Sequence, residues 1–177
     1  MRRGEILALR WKNVDLEQGT VRVLGSLEQT KVGLRFKSTK TDKARAVPLP
    51  KFAIDELRAW KRQQAEKLLR LGVRQRQEGL VCSREDGEPK QPASLTNEFT
   101  YLIGRVKGLP KVRFHDLRHS HATQLLTAGV HPKIVQERLG HSTITTTMDL
   151  YSHVSETIQS DATTRLDQAY GHMSKEV

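Results

Sequence analysis

Apolar positions recur along this 177-residue chain in two rhythms, and each change of rhythm marks an element. In "RRGEILALRW", Ile6 and Leu9 are three apart and Leu7 and Trp11 four apart, which predicts a short amphipathic helix at the start. The turn signal "EQGT" follows, and "VRVLG" then reads as a β-branched strand. "LRFKSTKTDKARAVPL" alternates over two short strands around the polar turn "STKTDK", a hairpin pattern. Pro50 opens a longer amphipathic helix carrying Ile54, Leu57, Trp60, Leu68 and Leu71, with Gly72 as its stop.

The stretch "VRQRQEGLVCSREDGEPKQPAS" carries Gly and Pro and predicts a surface connection that holds one short strand, "LVCS". Ser94 or Thr96 is placed to cap the helix "LTNEFTYLIGRVKG". "RFHDLRHSHATQLLTAG" reads as helical with Gly129 as its stop, and His131-Pro132 begins a short helix that Gly140 ends. A last helix is expected from Thr145 to Val154. There is no internal repeat and no low-complexity tract. The fold class expected is α+β, mainly α: helices with a small antiparallel β-hairpin sheet in the N-terminal half.

A chain of this length can bury roughly 70% of the surface it exposes when unfolded, so one packed core needs no staples. Cys82 is the single cysteine, which excludes an intrachain disulfide framework and suits a reducing, cytoplasmic setting. No apolar run approaches the roughly 20 residues of a membrane span, and the start has no signal-peptide pattern. No membrane partner is therefore expected. Thirty Lys and Arg against twenty Asp and Glu give a formal charge of +10, the balance suited to a partner made of phosphates.

Three groups of residues could carry chemistry. His115 and Arg118 are three apart, so on a helix they would project from one face, where a guanidinium fork and an imidazole suit an anionic oxygen. Taken alone they fit a solvated face equally well. His115 and His119 have the spacing of a metalloprotease pair, but Asp116 stands where the glutamate base would follow, and no third ligand is suitably spaced. No metal and no cofactor are expected.

The second group is the ribbon. Lys31, Arg35, Lys37, Lys40, Lys43 and Arg45 crowd it with Asp42 in opposition, which fits a solvated basic face, a set of phosphate contacts, or a lysine reaching a reaction centre. The third is "LGHSTITTTMDLYSHV", where Tyr151 follows His141 by ten residues. A tyrosine at a helix end usually buries its ring, and Tyr151 alone does not separate that reading from nucleophilic use. Tyr101 and Tyr170 keep the structural reading.

Together, "RRGEILALRW", "KTDKARAVPLP", "HDLRHSHATQLLTAG" and "LGHSTITTTMDLYSHV" resemble, in order, the motifs of the tyrosine recombinases, or phage integrases. The resemblance runs to about Val154. It implies a catalytic set of Arg2, with Glu5 beside it, and Lys40, His115, Arg118, His141 and Tyr151. It implies that Tyr151 attacks a phosphodiester of double-stranded DNA to give a 3′-phosphotyrosyl link, that His115 is the base, and that Arg2 and Arg118 hold the non-bridging oxygens. His141 would add a hydrogen bond to the phosphate, Lys40 would protonate the leaving 5′-oxygen, and the retained phosphodiester energy makes ATP unnecessary.

The resemblance also implies an organisation. Residues 1–154 are expected to form the catalytic domain, with the family's N-terminal DNA-clamp domain absent, and 155–177 a C-terminal tail suited to subunit docking. The full-length form is expected as a homotetramer on two DNA duplexes, and the present chain as a monomer that cleaves poorly alone. Site-specific recombination, by integration or excision, is the function implied. A type IB topoisomerase and a catalytically silent DNA-binding remnant are the alternatives.

Overall fold

The computed structural model describes residues 1–38 and 44–170, with the backbone alone at 153–162, 165, 168 and 169. Two compact units divide the chain, Met1–Leu117 and Arg118–Val177. Helices predominate, and the strands are short and antiparallel. The architecture is thus α+β and mainly α, as the pattern predicts.

In the first unit, helix α1 (Arg3–Ala8) is shorter than its apolar spacing suggests. Leu9 is already extended, and Trp11 opens a single turn of 3₁₀ helix. Leu7, Leu9 and Trp11 are nonetheless all buried, because the extended chain after Ala8 alternates its side chains at a period of two. Strands β1 (Val14–Asp15), β2 (Thr20–Val23) and β5 (Arg45–Pro48) form one sheet in the order β1-β2-β5, with Val21 opposite both Val14 and Val47. Its valines pack with Leu9, Trp11 and Val81 as the core of this unit.

The hairpin is not the one expected. Strand β4 (Gly33–Ser38) pairs with β3 (Gly25–Thr30), while β5 joins β2. The tight turn lies at Lys31-Val32, where Gly33 has a φ of 137°, open to glycine and strained for other residues. Arg35 faces Glu28 across this ribbon and is hydrogen-bonded to it, so acid from β3 offsets part of the basic crowd.

Helix α2 (Lys51–Arg70) begins after Pro50 as predicted. Its buried Gln64 accepts from Trp11 Nε1 at 2.7 Å and donates to the Leu80 carbonyl at 3.1 Å, tying the following connection to the core. "LVCS" forms isolated bridges instead of a strand. Helix α3 (Pro92–Gly104) starts ahead of Ser94, since Pro92 at the first turn presets its φ; Thr96 lies inside it and bonds the Pro92 carbonyl.

The second unit is helical. Helix α4 (Asp116–Thr127) leads into it, followed by α5 (Pro132–Leu139) and α6 (Thr145–Tyr170). Ala122, Leu126, Val135 and Leu139 form its core, with Leu125, Val130, Leu150 and Tyr151 packed against them. Leu117, expected among the apolar contacts, is 46% exposed. The α6 backbone continues past Val154 through sixteen residues of the expected tail, to Tyr170.

Candidate active site

The second unit assembles three of the expected residues around the turn between α5 and α6. Arg118, only 7% exposed, lies in the first turn of α4 and donates from Nη2 to the Leu139 carbonyl at 2.7 Å. That carbonyl lies at the C-terminal end of α5, where unsatisfied oxygens and the helix dipole favour a cation. The guanidinium is thereby fixed two residues ahead of His141.

Gly140 ends α5 in the left-handed conformation, with φ 69° and ψ 46°. Its N–H and that of His141 both reach the Gln136 carbonyl, at 2.8 and 3.1 Å, and Gln136 Nε2 donates back to the His141 carbonyl at 3.4 Å. The His141 backbone is pinned on both sides. Its ring nitrogen Nδ1 lies 2.9 Å from the hydroxyl of Thr147, a residue with no exposed surface in the first turn of α6.

Tyr151 is four residues beyond Thr147 and therefore on the same face of α6. It is half-buried against the Ala122 and Leu139 cluster, so its ring is held while its surface is not closed off. Nearby, Arg138 Nε donates to His121 Nε2 at 3.3 Å. Burial and the Arg138 charge push the His121 pKa down, which keeps that ring neutral and able to accept.

His115 lies in a turn one residue ahead of α4 and is exposed. The helix that carries Arg118 thus begins one residue after His115. Asp116 opens α4 and accepts the Arg113 backbone N–H at 2.9 Å, which closes the turn.

In the first unit, Arg2 stands at the start of α1 and is held by Glu5. The Arg2 backbone N–H donates to Glu5 Oε2 at 2.7 Å, and Arg2 Nη1 reaches Oε1 at 3.3 Å. Glu5 is 4% exposed and is also gripped by Arg45 of β5, at 3.0 and 2.7 Å. Burial alone would raise the Glu5 pKa. The Arg45 hydrogen bonds, the Arg2 N–H and the two guanidinium charges outweigh it and hold the carboxyl below its usual value.

Gly4 is what lets α1 lie so close to the ribbon. A Cβ there would stand 2.6 Å from the Leu27 carbonyl oxygen and 2.3 Å from Ser26 Oγ. Lys40 lies outside the described residues. Among the described residues no group of three or more His, Cys, Asp or Glu side chains is placed to hold a metal ion, and no helix is long and apolar enough to cross a membrane.

Two supporting residues, Arg45 and Thr147, carry no distinct signal in the sequence. Arg45 read as one more charge on a ribbon, although it serves the buried Glu5. Thr147 drew no reading of its own, although a threonine four residues before a tyrosine shares its helical face. Tyr101, given a structural reading, is 65% exposed and accepts from Arg105 at 3.2 Å.

The family model described as the phage integrase family matches residues 1–157. The chain belongs to that family. This phage integrase family member is 29% identical to a XerC-like tyrosine recombinase of Caldanaerobacter subterraneus, over 96% of its own length and 46% of the relative's. It is 36% identical to the tyrosine recombinase XerC of a Mycobacterium species, over 88% of its length and 45% of that relative's. The chain thus spans about half the length of the curated relatives it matches. Its fold is similar to that of the Tn1549 transposon integrase solved in complex with transposon right-end DNA, with a TM-score of 0.75 at 22% identity, covering 91% of this chain and 54% of the other.

Proposed function

We propose that this integrase-family chain supplies the catalytic groups for site-specific DNA recombination through a covalent 3′-phosphotyrosyl intermediate. The observation that carries the proposal is the turn at Gly140, where Arg118, His141 and the start of the Tyr151 helix are bonded into one unit. The net charge of +10 and the relatives' identity as tyrosine recombinases point to double-stranded DNA as the partner.

In the proposed reaction the Tyr151 oxygen attacks phosphorus in line, and the bond to the 5′-oxygen breaks. Tyrosine has an unperturbed pKa near 10, so the attack needs a base, and His115 takes the phenolic proton. Arg2 and Arg118 hold the two non-bridging oxygens and offset the charge that grows in the pentavalent transition state. His141 donates a further hydrogen bond, and Lys40 gives a proton to the leaving 5′-oxygen. Reversal with a 5′-hydroxyl from another duplex rejoins the strands, in an assembly of four subunits on two duplexes.

The test is a nicked duplex whose cleaved 5′ end diffuses away and traps the intermediate. The wild-type chain is expected to accumulate a protein-DNA adduct that Tyr151→Phe abolishes. Failure of the wild-type chain to form it would favour a silent DNA-binding remnant. Relaxed circles without recombined junctions would favour a topoisomerase.

A further inference from the structure

We propose that Thr147 is a positioning residue for His141: its hydroxyl donates to Nδ1 and so keeps the ring proton on Nε2, the nitrogen that donates to a phosphate oxygen in the proposed reaction. The inference rests on the reading of His141 as a phosphate donor and assigns how that donor is prepared.

Three observations carry it. Thr147 has no exposed surface, so its hydroxyl proton must go to an acceptor within the fold, and Nδ1 of His141 lies 2.9 Å away. The i−3 carbonyl that a helical threonine often bonds, that of Ile144, already accepts the N–H groups of Thr147 and Met148, each at 2.9 Å. The His141 backbone is pinned to Gln136 at both its N–H and its carbonyl, so a bond at Nδ1 adds a restraint on the ring to those on its backbone.

The consequence is chemical. In a neutral imidazole one nitrogen donates and the other accepts, and the hydrogen bond made by one nitrogen decides the role of the other. A hydroxyl that donates to Nδ1 makes Nε2 the N–H. Because Thr147 precedes Tyr151 by one helical turn, the element that carries the nucleophile also sets the proton on the histidine.

The test uses the intact chain labelled with ¹⁵N in its histidine rings, with His141 assigned by its loss in His141→Ala. Wild type is expected to show Nε2 protonated and Nδ1 as an acceptor. Thr147→Val, which removes the hydroxyl at nearly constant shape, is expected to average the two ring signals, and Thr147→Ser to restore the wild-type pattern. A proton on Nδ1 in the wild type would overturn the proposal, as would a valine variant with unchanged ring signals or a folded serine variant that behaves like valine.

Adduct formation gives a second readout. Thr147→Val should slow it by about tenfold to a hundredfold, the range found for outer partners that orient histidine ligands, and should add no loss in a His141→Ala background. Additive losses would overturn the coupling. Absence of any adduct with the ring pattern intact would count against the proposed reaction and leave the Thr147–His141 relationship standing.

Discussion

Arg45 grips the buried Glu5 carboxylate with both terminal nitrogens, at 3.0 and 2.7 Å, while the same carboxylate holds the backbone N–H of Arg2. One acid therefore links strand β5 to the residue proposed to bind phosphate. The arrangement is a buried ion pair with good geometry, whose desolvation cost is offset only while both partners are present.

Glu5→Gln is expected to lower the stability of the first unit by about 3–5 kcal/mol, because it removes the buried charge that both terminal nitrogens of Arg45 grip. Urea unfolding followed by tryptophan fluorescence reads it directly, since Trp11 and Trp60 both lie in or against that unit's core. A loss under about 1 kcal/mol, the value of a surface pair, would show that the pair is solvated in the protein.

The pH dependence has a fixed sign. The Glu5 pKa is lowered in the folded chain, so its contribution is fully present above the unfolded carboxylate value, about 4.3, and is lost as pH falls through the depressed folded value. Wild-type stability measured in urea should fall toward Glu5→Gln as pH drops below about 4. Parallel curves for the two proteins across that range would contradict the assignment.

Gly4→Ala is expected to force α1 away from β3, because the new methyl meets a backbone carbonyl at 2.6 Å that cannot rotate aside. The cost of such overpacking is about 1–3 kcal/mol, and Arg2 moves with the helix. Thermal unfolding gives the stability; the amide signals of Ser26 and Leu27 should shift most. Unchanged signals there would rule out the close approach.

Gly140→Ala is expected to cost about 1–2 kcal/mol, since a Cβ disfavours the left-handed conformation that ends α5. Its effect should extend to the His141 ring, whose backbone hangs on that turn. An unfolding midpoint equal to wild type would mean that the turn is made another way.

Much of this was legible in the sequence, and the failures share a cause. Helices α2, α4, α5 and the start of α6 follow from apolar spacing with glycine and proline at their ends, because those signals act within a few residues. The β3 strand "GSLEQT" was missed because its ends are polar and Leu27 is its single buried residue. Without β3, the alternating segment at Phe36 had only the wrong partner available. Strand pairing joins residues distant in the chain, and a local pattern does not encode which edges meet. The candidate site divides the same way. Arg2, Arg118, His141 and Tyr151 stand in recognisable motifs, whereas Arg45 and Thr147 act through hydrogen bonds that only the folded chain brings into range.

The most direct measurement maps the protein side of the covalent intermediate. The chain is trapped on a nicked suicide duplex, digested with trypsin, and the peptide that retains nucleotide is sequenced by mass spectrometry. The modified residue is expected to be Tyr151, as a phosphotyrosyl linked to a DNA 3′ end. Attachment at any other side chain, or an adduct that persists in Tyr151→Phe, would contradict the assignment of Tyr151 as nucleophile.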